Sequence, residues 1–303
     1  MLILNDFIFS ASKFMVKFFV LSRFIVRFYK SNIVFLYFLV ISHNFTMYFQ
    51  KGFFMINSNT FSNFNSKYPI YADLHTHSIS SGHGSEDTIT DMIRCASESG
   101  LSLFGISDHG PATSSSAKPS YFQSLKLADR DRFGIRVLYG VELNIINTAG
   151  DVDLDDEILS ALDYAIISIH PPIFKPYHDK DLSSAYIRAM DHPKVRFLGH
   201  IDDARFPVDF EYLLEIAKEK HVYPEINNGS LMPDAYRING QENCRRILSI
   251  CKKLDLPVLL SSDSHGKKNI GNMQYIFPLL EELDFPAHLV LNSDLSVLSE
   301  IIR

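Results

Sequence analysis

Short apolar runs rich in β-branched and aromatic residues recur seven times in the last four-fifths of this 303-residue chain, at 70–74, 102–107, 136–142, 164–169, 195–199, 222–226 and 257–261. Between several of them lie stretches whose apolar residues recur at helical spacing, at 88–99, 210–220 and 243–254. Asp87 stands where an N-cap belongs, and Gly100 where a helix of this kind ends. Repeated strand–helix units require a parallel sheet with right-handed crossovers. Seven such strands in roughly 235 residues suit a closed ring better than an open sheet. The expected fold class is therefore α/β, a TIM-like (β/α)7 barrel. No internal repeat and no low-complexity linker interrupts this part.

The first 66 residues have a different composition. They hold 15 of the 24 phenylalanines and six Lys/Arg against one acid, Asp6, a balance of +5 that leaves −11 for the rest of a chain whose net charge is −6. Residues 31–50 carry no formal charge, but Asn32, Ser42, His43, Asn44 and Gln50 dilute them, and a membrane helix needs about 20 mainly apolar residues. Three readings stand for 1–66: a weak membrane anchor, a targeting leader, or translation from an upstream start, with Met47 or Met55 as the alternative. The globular part is expected over 67–303, in the cytoplasm.

The residues at the strand ends narrow the chemistry. The first run leads into Asp73, His75 and His77, with His83 six residues on; the second ends in Asp108 and His109, and the third at Glu142. The fourth ends at His170, the fifth at His200, the sixth in Glu225-Ile226-Asn227-Asn228, and the last in Asp263-Ser264-His265. In a parallel barrel all of these lie at the carboxyl rim, where barrel enzymes build their sites. His75 and His77, at i and i+2 on an extended segment, point to one face. Clustered imidazoles repel one another as cations and become ligands when held neutral by divalent ions. Nine ligands exceed the set used by one tetrahedral ion, so two or three ions are expected, with Glu142 bridging.

The plainer alternatives are these. A lone histidine usually donates to a backbone carbonyl, and that reading covers His43, His178, His192, His221 and His288. Cys95, Cys244 and Cys251 form no CxxC pair and read as small apolar side chains in a reducing compartment. Five strand ends carrying histidine need a common cause, and metal binding supplies one.

From about Tyr68 to Arg303 the chain resembles the PHP (polymerase and histidinol phosphatase) superfamily, in particular its stand-alone YcdX-type phosphatases. The resemblance rests on DLHTH at 73–77, GISDHGP at 105–111, GVELNI at 140–145, His170-Pro171, His200, PEINN at 224–228 and SSDSH at 261–265. It departs at SSGHGSED around His83 and at IDDARFP after His200. The resemblance implies a distorted seven-stranded barrel and three divalent ions, zinc most often, with manganese or iron as alternatives. It further implies that His75, His77, Glu142 and Asp263 hold one ion, His83, His109 and His265 a second, and Glu142, His170 and His200 the third.

Such a centre implies hydrolysis of a small phosphomonoester by metal-bound hydroxide, without a covalent intermediate. Asp73 and Asp108 would orient histidine ligands, with helix capping as the alternative. Arg205, Lys267 and Lys268 come after strand-end motifs and offer cations to phosphate; a solvated surface charge is the other reading, and Phe206 and Tyr236 offer pocket walls. The partner expected is a small phosphorylated metabolite. Competing functions are a PHP-type nuclease, disfavoured by the −11 charge of this part, and a non-catalytic metal-binding module. Membrane contact is expected only if 1–66 is an anchor, and oligomeric state is left open.

Overall fold

The computed structural model describes residues 67–171, 173–174 and 180–303. The readings of 1–66, His43 and His178 lie outside the described residues.

The chain opens with two short strands, β1 (Ala72–Asp73) and β2 (Thr76–His77), then helix α1 (Ile89–Glu98) and β3 (Leu103–Ile106). Next come α2 (Pro119–Ser124), β4 (Asp131–Arg132), β5 (Ile135–Tyr139), β6 (Val141–Asn144) and α3 (Asp156–Leu159). The pairs β7 (Ala165–Ser168) with α4 (Ser183–Ala189) and β8 (Val195–Leu198) with α5 (Phe210–Glu219) come after them. The chain ends with β9 (Tyr223–Asn227), α6 (Gly240–Leu254), β10 (Leu259–Ser261), β11 (Ser264–His265), α7 (Phe277–Glu282) and α8 (Leu295–Ile302).

These strands form a four-stranded sheet in the order β1-β3-β5-β4, a five-stranded sheet β10-β9-β8-β7-β6 and a pair β11-β2. All pairings are parallel except β4 with β5. The expected parallel α/β class is observed, but the strand count is not seven. Eleven strands occur among the described residues. The expected strand 136–142 divides at Gly140, and β2, β4 and β11 are additional.

The division has a steric cause. A Cβ on Gly140 would sit 2.7 Å from the Tyr164 ring and 2.8 Å from the Tyr164 carbonyl oxygen. Only glycine lets the strand cross beneath Tyr164, so β5 pairs with β3 while β6 turns to pair with β7. At the other edge, the side-chain amide of Asn292 stands between β1 and β10. Its Nδ2 donates to the carbonyls of Ala72 (2.8 Å) and Leu260 (2.7 Å), and its Oδ1 accepts from Leu260 N–H (2.7 Å).

β3, β6 and β7 are buried along their whole length, as expected of parallel strands covered on both faces. One apolar layer lies between strands and helices; a second gathers Ala72, Leu103, Leu138, Tyr164, Ile166, Phe197 and Leu259 with Leu298 and Ile302 of α8. The three expected helices form. α1 is capped by Thr88, not Asp87: Thr88 and Asp91 make a reciprocal capping box, while Asp87 accepts from Lys267 N–H at 2.9 Å. α6 begins at Gly240, three residues before the expected 243, because helical apolar spacing starts only at Cys244. Its N-cap, Asn239, makes no side-chain cap.

Among the described residues, His192 meets Asp156 (2.7 Å) and His288 meets Asp255 (3.5 Å), both by carboxylate rather than backbone carbonyl, and His221 is exposed. The expectation of buried carbonyl donors fails for His221 and His288 because they are exposed, and for half-buried His192 because Asp156 takes its ring nitrogen. Cys244 and Cys251 are buried and Cys95 half-buried, all three free. No helix among the described residues is long and apolar enough to cross a membrane.

Candidate metal centre

The carboxyl ends of the strands bring five imidazoles around one carboxylate. Glu142, on β6, has its Oε2 2.6 Å from His109 Nδ1, 3.3 Å from His75 Nε2 and 3.5 Å from His77 Nε2. Its Oε1 lies 2.8 Å from His200 Nε2 and 3.3 Å from His170 Nε2. Asp263 Oδ1 adds a second anion, 3.1 Å from His77 Nε2 and 3.7 Å from His75 Nε2. The His265 ring lies 4.3 Å from His77, and the His83 ring 4.9 Å from His109 and 5.1 Å from His265. All nine expected ligand residues therefore lie in one neighbourhood. His83 stands at its exposed rim, between Gly82 and Gly84, both in the left-handed region.

Hydrogen bonds on the far side of the rings fix which nitrogen faces inward. His75 Nδ1 bonds Glu225 Oε1 at 2.5 Å, His77 Nδ1 bonds Ser81 Oγ at 3.0 Å, and His170 Nδ1 bonds Asn144 Oδ1 at 2.7 Å. Each ring thus turns Nε2 toward Glu142. Further carboxylates back two of these contacts. Ser81 Oγ donates to Asp108 Oδ1 (2.7 Å), and Asn144 Nδ2 donates to Asp153 Oδ2 (2.6 Å).

Asp108 therefore reaches His77 through Ser81, and also accepts from Ser78 and Tyr121. Asp73 bonds no histidine. It accepts from Ser262 N–H (3.3 Å), Ser262 Oγ (2.5 Å) and Gly271 N–H (2.8 Å), tying down the 262–271 loop, and burial raises its carboxyl to about 6. The Lys267 ammonium pairs with Asp87 at 2.9 Å. Arg205 forks onto Asp203 and stacks 5.0 Å over Tyr236. Phe206 is buried, whereas Tyr236 is 62% exposed.

Glu225, Asn144, Asp153 and Arg237 were not singled out as site residues by the sequence. Glu225, the acid of PEINN, stands near the end of the expected strand 222–226, as Glu142 closes the expected strand 136–142, and that is the available signal. It is fully buried and accepts from His200 N–H (2.7 Å) and Asn227 Nδ2 (3.2 Å), as well as from Ser261 Oγ and His75.

The protonation states of Glu142, Asp263 and His77 suit cation binding. Burial opposes charge on Glu142, but His170, His75 and His109 outweigh it and hold its carboxyl well below the usual range. Asp263 is likewise depressed against burial, by His75 and Arg237. Burial, then His109 and His265, push His77 well below its usual value, so it is neutral. His75 goes the other way: burial lowers it, but Glu225, Glu142 and Asp263 raise it further.

Several buried atoms have no hydrogen-bond partner, namely His75 Nε2, His77 Nε2, both nitrogens of His109 and Glu142 Oε2. His109 Nδ1 and Glu142 Oε2 are close yet misaligned for a bond. Orphaned buried groups of this kind are costly. Their ligand atoms fall into three compact groups: His75, His77 and Glu142; His77, His109 and His265; His109, Glu142 and His170. Imidazole nitrogen and carboxylate oxygen are the donors that zinc, manganese and iron accept, so these residues fit divalent ions.

The PHP domain family model matches residues 73–229, which span the region from the first histidine motif to the end of β9. A probable phosphatase of Clostridium acetobutylicum is 36% identical over 231 residues, covering 76% of this chain and 93% of that protein. The chain belongs to the PHP domain family.

A second relative, a probable phosphatase of Acetivibrio thermocellus, is 34% identical and covers 76% of this chain and 94% of its own length. With such relatives over three-quarters of its length, this PHP protein is a metal-dependent phosphatase. Its fold is similar to HisK of Listeria monocytogenes (TM-score 0.51, 18% identity, 68% of this chain and 99% of that one). It is also similar to the histidinol phosphate phosphatase of Lactococcus lactis, solved with zinc, L-histidinol and phosphate (TM-score 0.50, 20% identity, 71% and 94%).

Glu225→Gln tests the backing of His75. It removes the buried anion on Nδ1 and keeps the side-chain shape. Metal affinity in chelator competition is expected to fall by roughly 10–100-fold. Wild-type affinity in the variant would show that the Glu225–His75 contact orients nothing.

Proposed function

We propose that the PHP centre holds three divalent ions, zinc with manganese or iron as alternatives, and hydrolyses a small phosphomonoester. The observation that carries this reading is the convergence of five imidazoles on the single buried carboxylate of Glu142. One carboxylate with two oxygens facing different histidines suits a bridge between ions. In this reading His75, His77, Glu142 and Asp263 hold one ion, His83, His109 and His265 another, and Glu142, His170 and His200 the third. His77, which groups with His109 and His265, stands between the first two. A distorted closed ring of strands belongs to the same reading, supported by the crossing at Gly140 and the Asn292 amide between β1 and β10.

Bound divalent ions supply Lewis acidity and a source of nucleophilic water at neutral pH. The chain's residues do the positioning. Glu225, Ser81 and Asn144 hold three rings with Nε2 inward, and Glu142 offsets the positive charge there. Arg205, oriented by Asp203, and Lys267, paired with Asp87, are the candidate cations for substrate. The zinc and phosphate of the L. lactis protein support this choice of ion and substrate class.

The test measures metal and turnover together. Purified protein is expected to carry about three ions per chain by elemental analysis, in line with the ligand count. It should release phosphate from phosphomonoesters, lose that activity on chelation and regain it with zinc or manganese. A single ion per chain would remove the trinuclear reading. Oligonucleotide cleavage without phosphomonoester turnover would favour the nuclease.

A further inference from the structure

Asp263 shows its two oxygens to different surroundings. Oδ1 faces His77 and His75. Oδ2 turns away and accepts from Arg237 Nη2 at 2.7 Å and from Asn227 Nδ2 at 3.0 Å. Arg237 is itself fixed, because its Nη1 donates to Asn227 Oδ1 and Ser230 Oγ, both at 3.1 Å. Its side chain is only 4% exposed.

We infer that Arg237 is a positioning residue of the metal centre, holding Asp263 Oδ2 so that Asp263 offers one oxygen, Oδ1, to an ion. This inference rests on the proposed metal centre and names a part of it that no histidine supplies. A free carboxylate binds cations through one oxygen or two. With Oδ2 engaged by one guanidinium N–H (Nη2) and an amide, the two-oxygen mode would require breaking two buried hydrogen bonds.

Two further observations agree. Asp263 has φ +52, in the left-handed region, a conformation that persists only where the surroundings over-determine it. The Arg237–Asn227 clamp provides that determination from the side of the chain away from the histidines. A buried guanidinium also needs matching anions. Asp263 is one, and Asp202, fully buried with both oxygens lacking a hydrogen-bond partner, is the second: burial raises its carboxyl to about 6, and Arg237 is the principal charge opposing that rise. Arg237 Nε is likewise buried without a partner. The guanidinium is thus committed through its Nη atoms to the Asp263 side.

The experiment compares wild type, Arg237→Gln, Arg237→Lys, Asp263→Asn and the Arg237→Gln/Asp263→Asn double variant. Each full-length protein is dialysed against graded chelator, and zinc per chain is measured alongside thermal unfolding and phosphate release. In Arg237→Gln one ion is expected to leave at roughly 10–100-fold lower chelator, the loss typical when an outer partner of a ligand is removed. In Arg237→Lys the loss should be smaller, since the cation remains without the fork. In the Asp263→Asn background, Arg237→Gln should cost no further metal, because both changes act on the same ligand. Folded Arg237→Gln protein with wild-type retention, or full additivity in the double variant, would overturn the inference. Should Arg237→Gln fail to fold, Arg237→Lys decides: unchanged retention there overturns it and weakened retention supports it. Wild-type protein that takes up no zinc defeats the metal-centre reading itself, a distinct outcome.

Discussion

Glu142→Gln is expected to lose bound metal and to reduce phosphate release by about a thousandfold or more, the scale at which electrostatic groups act in a buried site. The substitution changes almost no volume, so packing around residue 142 is retained. What it removes is the anion that five imidazoles face within 3.5 Å. Glu142 is 1% exposed, so water cannot replace the lost charge. Metal loss should exceed the roughly 10–100-fold typical of outer partners, and so exceed that of Glu225→Gln. Elemental analysis and a phosphatase assay on the same preparation check this. A variant that keeps both its metal and its turnover would remove Glu142 from the centre and leave the histidine cluster without its hub.

Asn292→Ala is expected to be the most destabilising change away from the centre. Asn292 is fully buried and its amide is the partner of Leu260 N–H and of the Ala72 and Leu260 carbonyls. Removing it orphans these backbone groups where water cannot easily reach. Each such group costs about 1–3 kcal/mol, and with partial relaxation a total of about 3–5 kcal/mol is expected. Denaturant or thermal unfolding reads this directly. The variant should also weaken the centre, because β1 leads to His75 and β10 leads to Asp263, so both motifs lose their shared anchor. A loss below about 1 kcal/mol would mean that β1 and β10 are held together by other contacts.

Much of this molecule is legible in its sequence because the informative features are local. A strand buried on both faces reads as an apolar run, and β3, β7 and β8 appear within two residues of expectation. The residues that end those runs are the candidate ligands, so a regularity along the chain predicts convergence in space. The capping of α1 was displaced by a single residue because Asp87 and Thr88 are both good caps. Only the reciprocal bond to Asp91 decides between them.

The outer partners of the ligands were not legible for a different reason. Asn144 and Asp153 read as an ordinary strand residue and an ordinary loop acid, and only their placement behind His170 gives them a role. Arg237 lies 26 positions before Asp263 and carries no motif. The pairing of Lys267, close in sequence to the last candidate ligand motif, with Asp87 is equally a contact between distant residues.

The order of chemical groups along the chain thus determined the α/β class and the nine candidate ligands, since backbone periodicity and strand-end position are properties of short segments. Only the tertiary structure decided where the sheet divides, which ring nitrogen faces inward, and which oxygen of Asp263 faces the histidines. Those outcomes depend on contacts between residues far apart in sequence, such as Tyr164 above Gly140, Glu225 behind His75 and Arg237 beside Asp263.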